Sequence, residues 1–148
     1  MQISFQQLGS LPRAISRQVP VVRFMQELPP STGSPLNEAE RDRLREASRS
    51  EARRLSMGQL LKDTVQDFHV SRILINDVAG NNQADSDFDL QSSAIGLNYR
   101  GRHYHHQALD HPSGKAMQFP VSRTRHTPAF YFSSVSYTHL TLPTICSV

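Results

Sequence analysis

The sequence predicts an α+β or mixed α/β fold, truncated, built from a long charged helix, a packed helix and one to three short strands between disordered ends. Three observations carry that expectation. Acids and arginines recur at helical spacing across residues 34–54, aliphatics fall on one helical face across 57–68, and the branched run VSRIL begins a strand-like segment at 70–75. The chain divides accordingly into a poorly ordered segment and linker at 1–33, a helix-and-strand core at 34–100, a basic histidine-rich segment at 101–134 and a tail at 135–148.

The start of the chain is weakly patterned. Ile3 and Phe5 alternate, enough for a short strand or a frayed end, and the apolar set Val21, Val22, Phe24, Met25 and Leu28 is suited to dock on a core. Pro29, Pro30 and Gly33 then disfavour both helix and ladder, which marks a linker. For the charged helix, Ser34 is the expected N-cap with Pro35 in the first turn. Glu38, Glu40 and Asp42 lie early and Arg49, Arg53 and Arg54 late, complementing the helix dipole. Each of Glu38, Asp42 and Glu46 has an arginine three residues on, and such pairs contribute roughly 0.2–0.5 kcal/mol each. Leu44 is the lone large aliphatic between Glu38 and Arg54, so this helix is expected to be mostly solvated.

Ser56 and Gln59 match a capping box and Gly58 marks a break, which sets the packed helix at 57–68 with Leu60, Leu61, Val65 and Phe68 on one face. Residues 70–75 fit a buried strand, 76–89 a polar loop, and 90–99 a second strand with Gly96 as a bulge or close-approach point. A third strand is expected at 128–132.

Composition bounds the function. A hydrophobic share of 37 %, no tryptophan and a mean hydropathy of −0.48 imply a small core. The net charge of +3 rests almost wholly on arginine, whose planar fork suits phosphates and carboxylates. The single cysteine, Cys146, excludes a disulfide framework and a cysteine zinc site. No stretch reads as a membrane span or a secretory leader. The expectation is therefore cytoplasmic, with the Ser/Gln-rich start also compatible with a specialised secretion system.

Three groups of residues carry candidate chemistry. In the run NDVAGNNQADSDFDLQ, Asp87 and Asp89 alternate, so an extended strand would present both carboxylates on one face as ligands for Mg²⁺. Helix, strand, polar loop and D-S-D-F-D-L together resemble the minimal nucleotidyltransferases over residues 60–91. The resemblance implies Asp87 and Asp89 as metal-binding acids, although Asn76-Asp77 stands where that family has a Gly-Ser turn. The same run is also similar to dockerin-like and EF-hand calcium loops, but Ala79, Asn82 and Phe88 occupy three of their key positions. A solvated turn-rich loop is the plain alternative.

The second group is His103, His105, His106 and His111, with Asp110 beside them. Pairs among them suit zinc, which needs three or four ligands, and the run HHQALDHPSG is similar to the start of HNH nucleases. A surface cluster is the alternative. The third is the row Arg41, Arg45, Arg49, Arg53 and Arg54, a candidate contact for nucleic acid or an acidic protein partner, partly neutralised by Glu38, Asp42 and Glu46.

The tail is different in kind. Residues 135–144, VSYTHLTLPT, resemble the translation of sequencing-adapter read-through, which implies that the natural protein stops near Ser133. The resulting expectation is a truncated protein with a binding or regulatory role through an arginine-rich surface and without a complete catalytic set. The alternatives are a degenerate nucleotidyltransferase and a histidine-cluster metal site or nuclease.

Overall fold

The computed structural model describes residues 5–29, 33–77, 79–101, 115–118, 131–136 and 142–147. Four helices and five strands lie among them: α1 (Phe5–Ser16), α2 (Val19–Gln26), α3 (Glu38–Ser50), α4 (Ala52–Phe68), β1 (Arg72–Asn76), β2 (Asn82–Asp85), β3 (Lys115–Gln118), β4 (Tyr131–Ser136) and β5 (Leu142–Ser147). The strands form one sheet in the order β2-β1-β5-β4-β3, and every neighbouring pair is antiparallel. The fold is α+β, as the periodicities imply.

The core lies between the helices and β1–β2. Leu11 and Ile15 of α1, Val21, Phe24 and Met25 of α2, Met57 and Leu61 of α4, and Ile73, Ile75 and Ala84 of the strands form one buried cluster. Burying such a side chain fully contributes about 1.5–3 kcal/mol, so these few residues dominate the stability of the helix–sheet contact. The segment 1–33, expected to be poorly ordered, supplies five of the eleven residues of that cluster, which Val70 completes. Its amphipathic turns were masked by Pro12 inside α1 and Pro20 in the first turn of α2.

The charged helix is present but starts later than its cap signals suggest. Asn37 is the N-cap, accepting a hydrogen bond from the Glu40 amide through Oδ1 at 2.8 Å. Nor does the packed helix begin at 57. α4 runs unbroken through Gly58, and the break falls at Glu51, whose extended backbone (φ −78°, ψ 126°) ends one helix and opens the next. Gly58 has a packing role instead. A Cβ there would stand 2.5 Å from Cδ1 of Phe88, so the bare backbone seats that ring. At the other end His69 closes α4 in the left-handed region (φ 55°).

Strand β1 is buried along its whole length and pairs on both edges, with β2 and β5. Residues 90–99 form turns rather than the expected strand; their return past β2 is limited to the Asn81–Asn98 bridge and bonds such as Tyr99 N–H to the Gly80 carbonyl at 2.7 Å. The tail expectation is corrected here. Far from lying outside the fold, Leu142–Ser147 pairs with β1 through Ile73↔Cys146 and with β4 through Phe132↔Cys146, occupying the middle of the sheet. Its β-branched Thr144 and Ile145 suit a strand.

Candidate functional site

The acidic run is where sequence and structure diverge most. Residues 86–89 are a turn, closed by Phe88 N–H to the Asp85 carbonyl at 3.1 Å and Leu90 N–H to the Asp87 carbonyl at 2.9 Å. A turn abolishes the alternation that would have aligned Asp87 with Asp89. Asp87 is buried and faces Arg72, with Oδ2 at 3.7 Å from Nε. Asp89 is exposed and pairs with Lys62 on α4, whose ammonium holds the Asp89 carboxyl below the usual carboxylate range. The two acids therefore serve different partners.

The carboxylate that organises this region is Asp85, which sequence reasoning passed over. It is fully buried and accepts four hydrogen bonds: two from the Arg72 guanidinium, one from the Asp87 amide at 2.9 Å and one from the Ala94 amide at 2.7 Å. Arg72 also donates to the Ser92 carbonyl at 2.9 Å. Burial alone would pull the Arg72 guanidinium down, but the hydrogen bond and charge of Asp85, with Asp87 beyond, raise it above its ordinary value. Arg72 thus keeps its charge, and its bonds to Asp85 and Ser92 clamp the loop at 92–94 onto β1 and β2. Bidentate geometry of this kind is what makes a buried arginine tolerable. The available signal was Arg72 itself, a charge inside an otherwise aliphatic run.

A second polar web fixes the β1–β2 connection. Asp77 accepts from the Asn81 amide at 2.9 Å and from Gln83 Nε2 at 3.0 Å. Burial nevertheless outweighs these bonds and holds its carboxyl above the usual range. Gly80, at φ 90° and against the Arg100 backbone, takes the tight turn that the web needs.

The arginine row does not present one continuous face. Arg41 packs over Gly96, and Arg45 donates to the Ser93 carbonyl at 2.8 Å, so both fasten α3 to the loop. Arg53 pairs with Glu27 at 3.0 Å and lies over the Phe24 ring. Arg54 is buried against Gln83, and Arg49 is exposed beside Asp89 and Phe88. His103, His105, His106 and His111 lie outside the described residues. Among the described residues no group of three or more His, Cys, Asp or Glu side chains is placed to hold a metal.

Two surface grooves accompany these networks. One, of about 540 Å³, runs between α2 and α4, with Val19, Phe24, Met57 and Leu60 along it and Arg53–Glu27 on its rim. The other, of about 510 Å³, lies between α3 and the start of α4, with Arg54 and Gln83 in its wall.

No protein-family model matches the chain, and no characterised protein matches it by sequence. Solved structures do. The fold superposes on the sensor domain of the V. cholerae histidine kinase DctB with a TM-score of 0.72 and 17 % identity, covering 96 % of this chain and 47 % of that one. On the sensor domain of E. coli DcuS the TM-score is 0.60 at 9 % identity, covering 96 % of this chain and 84 % of the other. The chain thus spans about half the length of the V. cholerae domain.

These findings bear on four expectations. The nucleotidyltransferase resemblance fails, because its neighbours in fold are sensor domains and its two acids are parted by a turn. The nuclease alternative falls with it, and a nucleic-acid partner finds no support, the arginine row being largely spent on internal contacts. The cytoplasmic placement is corrected as well: it rested on missing export signals, whereas the fold is that of sensor domains, one of them from a histidine kinase. Among the described residues no helix is long and apolar enough to cross a membrane. At these identities the likeness is one of fold alone.

Proposed function

We propose that this chain is a ligand-sensing module of a membrane-associated signalling protein, presented outside the cytoplasm and coupled to a kinase or a comparable output. The observation that carries the reading is the superposition of 96 % of the chain on a histidine-kinase sensor domain at a TM-score of 0.72. The internal organisation supports it. A sheet backed by α1, α2 and α4 forms a rigid base, and the 86–101 loop is fastened to it at discrete polar points instead of by a continuous ladder. Sensing requires part of a domain to respond to a small molecule while the remainder holds shape, and low-stability elements supply that response.

Two measurements test the proposal. A thermal-shift screen of the purified chain against small metabolites should find at least one that raises the melting temperature saturably, as binding to the native state requires. An alkaline phosphatase reporter fused to the natural gene product behind this segment should be active, because that enzyme folds only after export. A reporter inactive in intact cells, with the fusion made in full, would overturn the placement. A screen without a single saturable shift would overturn the ligand-sensing role.

A further inference from the structure

Arg54 is a buried charge with weak compensation. It is 8 % exposed, yet its hydrogen-bond acceptors belong to a neutral residue: the Gln83 carbonyl at 3.2 Å and the Gln83 side-chain oxygen at 3.4 Å. Its nearest carboxylate, Glu51, stands 3.7 Å from Nε and is itself mostly exposed. Burial, helped by the neighbouring charge of Arg53 and opposed by Glu51, pulls the Arg54 guanidinium below its ordinary value. Arg72 shows the contrast, since an even more deeply buried guanidinium there has a bidentate carboxylate. A buried charge with poor partners is costly and gains strongly from an arriving counter-charge.

Arg54 lies in the wall of the groove between α3 and α4, which also holds Arg43, Glu40, Glu51, Leu36 and Leu44. Arg53 borders the groove too but is engaged with Glu27. The remaining charges, Arg43 and Arg54 against Glu40 and Glu51, cancel. That balance decides the ligand class. A dianion would meet two carboxylates, and a cation would meet two guanidiniums. A molecule carrying one carboxylate and one ammonium satisfies both pairs, and the half-buried Leu36 and Leu44 offer an apolar wall for a modest side chain. The volume of about 510 Å³ suits a small molecule.

We infer that the α3–α4 groove is a binding site for a small zwitterion of the α-amino-acid class, with Arg54 and Arg43 taking its carboxylate and Glu40 and Glu51 its ammonium. The inference does not rest on the sensing role, because binding is read on the isolated chain whether or not it signals.

L-leucine is the probe, with isocaproate, which lacks the ammonium, and isoamylamine, which lacks the carboxylate, as the two arms. Leucine should shift the amide resonances of Ala47 and Gln83 saturably at millimolar concentration, and each arm should bind about tenfold more weakly or worse. Arg43→Gln and Glu40→Gln lie on exposed or half-exposed positions of α3 and leave the core intact; each should weaken leucine by about threefold or more. Arg54→Gln should abolish binding, and if that variant unfolds, the two surface variants decide. Isocaproate binding as tightly as leucine, no saturable shift with leucine, or leucine affinity unchanged in both surface variants would each overturn the site.

Discussion

Helices α3 and α4 are consecutive, separated by the single extended residue Glu51, and built on opposite principles. α4 buries Met57, Gly58, Leu61 and Thr64 against the other helices and the sheet, while the one buried residue of α3 is Ser48, whose hydroxyl donates to the Leu44 carbonyl of its own helix at 2.8 Å. α3 is held from outside by arginines: Arg45 on the Ser93 carbonyl and Arg41 over Gly96. Both arginines leave a buried Nε without an acceptor. The lesson is that a helix can be well specified along its own axis and loosely specified in its docking. α4 is fixed by area removed from water, which is non-directional and large. α3 is fixed by a few directional bonds, each contributing about 0.5–1.5 kcal/mol, to a loop that is itself held by polar bonds, with the Arg72–Asp85 pair at 92–94 and the Asn81–Asn98 bridge further on.

The sharpest way to break the contrast is at that clamp. Arg72→Ala would leave the fully buried Asp85 carboxylate without its counter-charge, at a cost of about 3–5 kcal/mol. Urea denaturation should show the loss as a lower midpoint, and a midpoint within experimental error of the parent would show that the pair does not hold the loop. Next is the seat of Phe88. Gly58→Ala should destabilise by about 1–3 kcal/mol through overpacking, whereas in a Phe88→Ala background the same change should stabilise by up to about 1 kcal/mol through helix propensity. A double-mutant cycle reads the reversal directly, and equal effects in both backgrounds would count against the contact.

Smaller effects should separate the two helices. Arg45→Ala removes the bond to Ser93 and should cost about 1 kcal/mol. Hydrogen exchange should then quicken in α3 while α4 keeps its protection; equal quickening in both would mean that they open as one unit. Asn37→Ala deletes the N-cap of α3, again at about 1 kcal/mol, and fraying of residues 38–41 by NMR is the check. The smallest effect is a pH dependence. Burial raises the folded-state Asp77 carboxyl above its unfolded value, so its contribution is fully present below the unfolded pKa and is lost as pH rises through the folded one. The window therefore lies at and just above the ordinary carboxylate range. Asp77→Asn should flatten the stability profile there, and an unchanged slope would assign it to another group.

Particular residues explain what was and was not legible beforehand. The charge order of 38–54 announced α3 because i,i+3 spacing is a property of one helix. Yet among the described residues no ion pair joins Glu38 to Arg41, Asp42 to Arg45 or Glu46 to Arg49. Arg41 and Arg45 found better use on the loop, a preference no local pattern encodes. The same holds for the acidic run. Alternation of Asp87 and Asp89 implied a shared face only if the backbone stayed extended, and the turn at 86–89 removed that condition. Asp85 went unnoticed because its partner Arg72 lies thirteen residues away on another strand.

By itself, then, the sequence determined that this is an α+β chain, that two dissimilar helices precede a buried strand, and that its core is small. Helical and strand periodicity are local, and local patterns are written in order along the chain. Tertiary structure alone decided which acid is buried, which arginines are spent internally, where α3 hands over to α4, and that residues 142–147 sit between β1 and β4. Those outcomes depend on contacts between distant segments, where desolvation sets a high cost on every unpaired charge and the partner that relieves it is chosen only when the chain closes on itself.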